Sequence, residues 1–124
     1  MDERLKELCR RVKEQIENGD EKDAYAGIVQ AMKECPDSGI PHNLMGIWKE
    51  NQGDHPGAMK HFRAAWALEP TFVPARWNLD VYGRDDSGKC AYTDEDVPEE
   101  QEKPGYKWVY DEKGIGHIVR RDET

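Results

Sequence analysis

The residues able to do chemistry on their own are four histidines, His42, His55, His61 and His117, and three cysteines, Cys9, Cys35 and Cys90. Zinc and its relatives need three or four such ligands at short fixed spacings, as in paired C-x-x-C or a helical H-E-x-x-H. The spacings here match none of these. His42 and His61 fall on different helical segments, and His117 falls near the end of the chain. A nucleophilic cysteine needs a base beside it. Cys9 and Cys35 instead sit at core-like positions, where a thiol behaves as a small hydrophobe. The sequence also lacks the P-loop, G-x-G-x-x-G and G-x-S-x-G patterns. Lys113-Gly114-Ile115-Gly116-His117 has two glycines but no helix after it to receive a phosphate. These residues argue against an enzyme and call for neither a metal nor a cofactor.

Charge narrows the partners. The net charge is −8, and residues 84–103 hold eight acidic side chains against three basic ones. Binding to nucleic acid draws on a positive field, so this composition speaks against it. No apolar run approaches the roughly 18 residues of a membrane span. An odd number of widely spaced cysteines suits reduced thiols, and the chain reads as cytoplasmic.

The elements that position these side chains follow from periodicity. Leu5, Leu8, Val12 and Ile16 fall three or four apart and predict a helix over residues 2–18. Further helices are predicted over 21–35, 39–52, 55–68 and 74–82. Gly19 and Gly53 stop the first and third. Asp20, Ser38 and Asp54 are placed to cap the helices that follow them. Pro36 and Pro70 halt the second and fourth. Residues 84–105 read as an acidic linker, mobile unless it packs on the helices. Residues 106–121 are rich in aromatic and β-branched side chains, interrupted by Asp111-Glu112-Lys113-Gly114. That predicts a short β-hairpin. The chain thus divides into a helical domain (1–83), a linker (84–105) and a tail (106–124).

The helical part repeats itself. Gly19-Asp20 recurs as Gly53-Asp54, Ala24 as Ala58, Ile28 as Phe62, Ala31 as Ala65 and Pro36 as Pro70, each 34 residues on. Alanines allow close helix approach, the larger residue fills the gap between units, and the proline turns the chain into the next unit. Gly46 lies where its small size lets a partner helix presenting Ala58, Phe62 and Ala65 come close.

This pattern resembles the tetratricopeptide repeat (TPR) family. Gly46, Ala58, Phe62, Ala65 and Pro70 occupy signature slots of a unit over about 39–72. Ala24, Ala31 and Pro36 do so in a unit over about 5–38, and residues 74–82 form a capping fifth helix. His42 and Lys49 replace the usual Trp and Tyr of the second unit, and Val12 the small residue of the first. The resemblance implies an all-α fold of antiparallel helix pairs in a right-handed superhelical stack. It also implies a protein–protein interaction module that holds a peptide or partner protein in a concave groove. By register, the groove would present Lys6, Arg10 and Lys13 from the first helix, Asn43 and Ile47 from the third, and Trp77, Asn78, Val81 and Arg84 from the fifth. Cys9 and Glu50 share that face. The family's chaperone-binding clamp is not reproduced: Cys9, Lys13, Leu44, Pro74 and Asn78 stand in its slots. A basic rim over an apolar floor suits an acidic peptide or a C-terminal carboxylate.

Each singled-out feature also has a plain structural reading. Trp48, Trp66 and Trp77 are either packing or ligand-stacking residues, and Trp48 is placed to face outward and meet the tail. The basic residues of the first helix are either a docking patch or a solvated face paired with Glu14 and Glu17. The acidic linker either meets a basic partner or serves as a solubilising spacer. The incomplete third unit leaves Trp77, Leu79 and Val81 to be covered. Residues 106–119, folding back as a cap or as a built-in ligand, are one candidate, and homodimerisation is another.

Overall fold

The computed structural model describes residues 2–83 and 90–98 in full and residues 106–110 and 116–120 as backbone. Five helices are α1 (Glu3–Glu17), α2 (Glu21–Glu34), α3 (Ile40–Asn51), α4 (His55–Leu68) and α5 (Val73–Gly83). Each packs on the next, and α1 also touches α3. Strands β1 (Tyr106–Tyr110) and β2 (Gly116–Arg120) pair antiparallel, with Trp108 opposite Ile118. The residues joining these strands lie outside the described structure, as do the strands' side chains. The expectation that residues 106–119 cap the helices or fill the groove falls on them.

The 34-residue register is visible in the backbone. After α1, Gly19 N–H bonds Ile16 O (3.2 Å) and Asp20 N–H bonds Gln15 O (2.8 Å). After α3, Gly53 bonds Glu50 O (3.1 Å) and Asp54 bonds Lys49 O (2.9 Å). Both are paired six-to-one and five-to-two closures around a left-handed residue, which is why glycine stands there with φ +82° and +83°. At the other end of each unit, Cys35 N–H bonds Ala31 O and Ser38 N–H bonds Cys35 O. Glu69 to Ala65 and Phe72 to Glu69 repeat the pattern 34 residues later.

The side chains follow the same register. Ala24 and Ala58, Ile28 and Phe62, and Ala31 and Ala65 are all buried. A Cβ on Gly46 would overlap the Phe62 ring, so α3 and α4 meet at a contact only glycine permits. Phe62 stacks in turn on Tyr82 of α5, with centroids 5.5 Å apart and planes 5° from parallel. One ring therefore bridges the second unit to the fifth helix.

Two local expectations differ from the structure. Asp20 stands at the N-cap of α2, but its side chain makes no capping hydrogen bond. Asp54 caps α4 by accepting from Gly57 N–H (3.0 Å), but α3 has Gly39 rather than Ser38 at its N-cap. A carboxylate from α4's end supplies the missing acceptor. Glu69 Oε1 takes the Ser38 hydroxyl (2.7 Å) and the Gly39 N–H (2.8 Å), while Ser38 Oγ accepts from Ile40 N–H (3.2 Å). Gly39 must be small, because a Cβ there would collide with the Ala65 carbonyl. The expected meeting of Trp48 with the tail falls on side chains outside the described residues. The Trp48 indole N–H donates to Glu21 O (2.9 Å) and its ring lies 4.8 Å from that of Tyr25, tying α3 to the start of α2. A donor-only indole at the edge of a core needs such a carbonyl.

Candidate functional site

Helices α1, α3 and α5 present a shared face, and residues 90–98 lie on it. The stretch read from sequence as part of an acidic linker therefore contributes to the site. It makes one 3₁₀ turn at Asp94–Asp96, flanked by Thr93 and Val97 in extended conformation.

The centre is a pair of asparagines. Asn43 of α3 and Asn78 of α5 are both fully buried. Asn78 grips one residue of the segment from both sides: its Oδ1 accepts from Ala91 N–H (2.7 Å) and its Nδ2 donates to Ala91 O (2.8 Å). Nδ2 also donates to Asn43 Oδ1 (2.8 Å), and Asn43 Nδ2 adds a second donor to Ala91 O (3.0 Å). Both side chains have donors and acceptors in use, as buried amides require. The contact reads main chain, not side chain. Ala91 contributes only a methyl group, with no exposed surface.

Around this clamp the segment's side chains find separate partners. Ala91 packs with Trp77 and Val81 of α5, and Val97 packs against the same cluster. Tyr92 is buried, and Lys13 Nζ of α1 lies 5.6 Å from its ring centroid. Lys13 Nζ also lies 3.5 Å from Asp96 Oδ1. The other Asp96 oxygen accepts from Tyr92 N–H (3.0 Å) and Thr93 N–H (3.3 Å), so the aspartate both shapes the turn and faces the lysine. Cys90 packs in the same cluster as Tyr82 and Tyr92. Burial pushes Cys90, Tyr82 and Tyr92 upward, leaving all three neutral. Cys9, beneath the segment, is pushed up to about 12 by burial and then by the charge of Asp96. A thiol held neutral is a poor nucleophile, so Cys9 acts as packing here.

The structure gathers Lys13, Asn43, Trp77, Asn78 and Val81 around residues 90–97. Ile47 is fully buried in the main helical core. Arg10 is held on the exposed side of α1 by the Glu7 carboxylate and by Glu14 at 2.8 Å. Lys6 is likewise exposed. Arg84 lies outside the described residues. Sequence reasoning missed Ala91, Tyr92, Asp96 and Val97. Two signals mark them in hindsight: a short apolar run, Cys90-Ala91-Tyr92, interrupts dense acid, and Thr93 with Asp96 forms a reciprocal capping box.

Away from this face, His42 and His61 stack with Nδ1 atoms 3.1 Å apart. Burial lowers both, and the His42 ring lowers His61 further, so one neutral ring donates to the other. Among the described residues, no group of three or more His, Cys, Asp or Glu side chains is arranged to hold a metal ion. No helix among them is long and apolar enough to cross a membrane. Searches of family models, curated proteins and solved structures return no match to this chain.

Proposed function

We propose that this chain is a protein–protein interaction module of the TPR type. In this reading its helix pairs stack with a right-handed superhelical sense, and α1, α3 and α5 line the concave groove. The groove takes a peptide segment, and residues 90–98 occupy it as an intramolecular ligand. The observation that carries this is the double grip of Asn78 on Ala91, backed by Asn43. Buried amides that satisfy a main-chain N–H and C=O hold an extended segment whatever most of its side chains are. Affinity comes from that grip and from the apolar Trp77–Val81 floor, and Lys13 adds preference for acid. Among the described residues, Cys9, His42 and His61 are taken up in packing, and in this reading the module acts by binding alone.

A peptide array tests this. The probe is the full chain carrying Ala91→Trp, which cannot fit the fully buried alanine slot and so opens the groove. Capture of peptides by this variant, and loss of capture when Asn78→Ala is added, is the expected result. No capture by a variant that keeps its helical circular dichroism overturns the reading.

A second reading rests on a different observation. Ala91 and Tyr92 are as buried as the helices' own core residues. Residues 90–98 then form a permanent cover for the incomplete third unit, and the chain is a closed scaffold. The two readings differ in whether the segment leaves its place without the helices unfolding. Homodimerisation, the other way to hide this end, is tested by sedimentation.

A further inference from the structure

The way residues 90–98 sit specifies a ligand. Besides Cys90 at its start, which packs on the helical core, four positions of the segment meet the helices, and each does so with different chemistry. The first is Ala91, whose peptide group is held on both sides by buried amides and whose side chain has no room to grow. The second is Tyr92, buried with a cation over its ring. The third is Asp96, five residues after the alanine, facing Lys13. The fourth is Val97, against Trp77 and Val81. Thr93 and Asp96 close the turn that brings the last two into reach: the Thr93 side chain accepts from Asp96 N–H, and the Asp96 side chain takes the Thr93 N–H in return. These contacts belong to seven consecutive residues, so a separate peptide with the same seven can make them.

We propose that the groove binds, in trans, an acidic partner segment of the pattern small–aromatic–Ser/Thr–x–x–Asp–aliphatic, and that residues 91–97 are the built-in competitor for that partner. This rests on the reading of the groove as a peptide site. Charge selects acid over base at the sixth position, because Lys13 is the groove cation that reaches it. Size selects Ala, Gly or Ser at the first, because a fully enclosed methyl leaves no volume for more. A tethered segment acts at an effective concentration on the order of millimolar, so a free peptide meets strong competition in the unaltered chain. The partner therefore engages when it exceeds that competition, or when residues 90–98 are displaced.

The test uses the full chain and a fluorescent peptide of residues 90–98, read by anisotropy. Two opened chains serve, Ala91→Trp and Asp96→Lys. The second replaces a turn side chain that is 25% exposed and spares the helices if the first fails to fold. Both opened chains should bind the peptide at least about tenfold more tightly than the unaltered chain does. An Asp96→Lys peptide should bind several-fold more weakly than the native one. A Lys13→Asp substitution in the Ala91→Trp chain should reverse that preference. A peptide of scrambled order should not bind. Absence of binding to both opened chains, with helical circular dichroism retained, overturns the proposal. So does equal binding of native and scrambled peptides, or a charge preference that Lys13→Asp leaves unchanged. If an array captures other peptides but none of this pattern, the pattern fails and the peptide site stands. If no peptide is captured, both fall.

Discussion

Replacing Asn78 with alanine strikes the centre of the account, and its cost can be worked from the contacts. The change removes three hydrogen bonds. It leaves Ala91 N–H and Asn43 Oδ1 buried without their partners, while Ala91 O keeps the bond from Asn43. An orphaned buried polar group costs about 1–3 kcal/mol, so two cost roughly 2–6 kcal/mol. Undocking of residues 90–98 sets a ceiling, because a detached segment recovers water on its polar groups and loses only its docking free energy. We therefore expect a loss of about 2–4 kcal/mol in urea unfolding at pH 7. Asn43→Ala should cost less, about 1–3 kcal/mol, since Ala91 O still accepts from Asn78 and only one Asn78 N–H is stranded. The double variant should fall short of the sum by about 1 kcal/mol, because the two side chains share a bond and a target. Asn51→Ala is the control: its amide bonds only Ile47 O within its own helix, from an exposed residue. If Asn78→Ala costs no more than Asn51→Ala while Ala91 stays docked, the clamp does not hold the segment.

Other substitutions probe the frame that positions the clamp. Gly46→Ala should destabilise by about 1–3 kcal/mol through overlap with Phe62, despite alanine's better helix propensity. Gly27→Ala should instead stabilise by about 0.5–1 kcal/mol, because its Cβ would meet only Leu8 Cδ1 at an ordinary 3.8 Å. Thermal melts of the two variants read opposite signs, and like signs would refute the packing account. Glu69→Ala should cost about 1–2 kcal/mol by uncapping α3, whereas Glu69→Gln, which keeps an acceptor oxygen, should cost less; equal losses would refute the cap. The His42–His61 pair makes stability depend on pH. Both histidines are lowered in the folded chain, so the unfolded chain takes up protons first. Stability should be full above pH 6.5, the ordinary histidine value, and fall as pH drops below it. Urea midpoints between pH 7.5 and pH 5 measure this, and Gln at both positions should flatten the slope.

The helical frame was legible because its determinants are local and recur. Gly19-Asp20 and Gly53-Asp54 mark a backbone geometry that few other residue types adopt, and Ala58, Phe62 and Ala65 mark a face by their size. The same register put Trp77, Asn78 and Val81 on one face of α5, and that face meets Ala91. What occupies the groove could not be placed. Asn78 recognises a peptide group, and every residue has one, so Ala91 carries no mark of being held. The acid around it looks like any solvated spacer until Lys13 is seen 3.5 Å from Asp96. The α3 cap was obscure for a related reason: Glu69 lies 30 residues from Gly39 in sequence, and only the packing of the second unit brings them together. The partner of Trp48 was not legible, because periodicity gives a helix face but not the distant carbonyl, Glu21 O, that takes its indole N–H.

Amide hydrogen exchange at Ala91 tests the central claim most directly, since its N–H is bonded by Asn78 alone among the contacts of the groove. The account predicts that this amide is protected, and that it opens with a free energy below that of Ile28 and Phe62, whose exchange needs the helices to unfold. Asn78→Ala should abolish the protection at Ala91 and leave the ranking of the helix amides intact. An unprotected Ala91 amide in the unaltered chain would mean that the segment is not held. An Ala91 amide that exchanges only with the whole helical domain would mean a permanent cover rather than an exchangeable ligand.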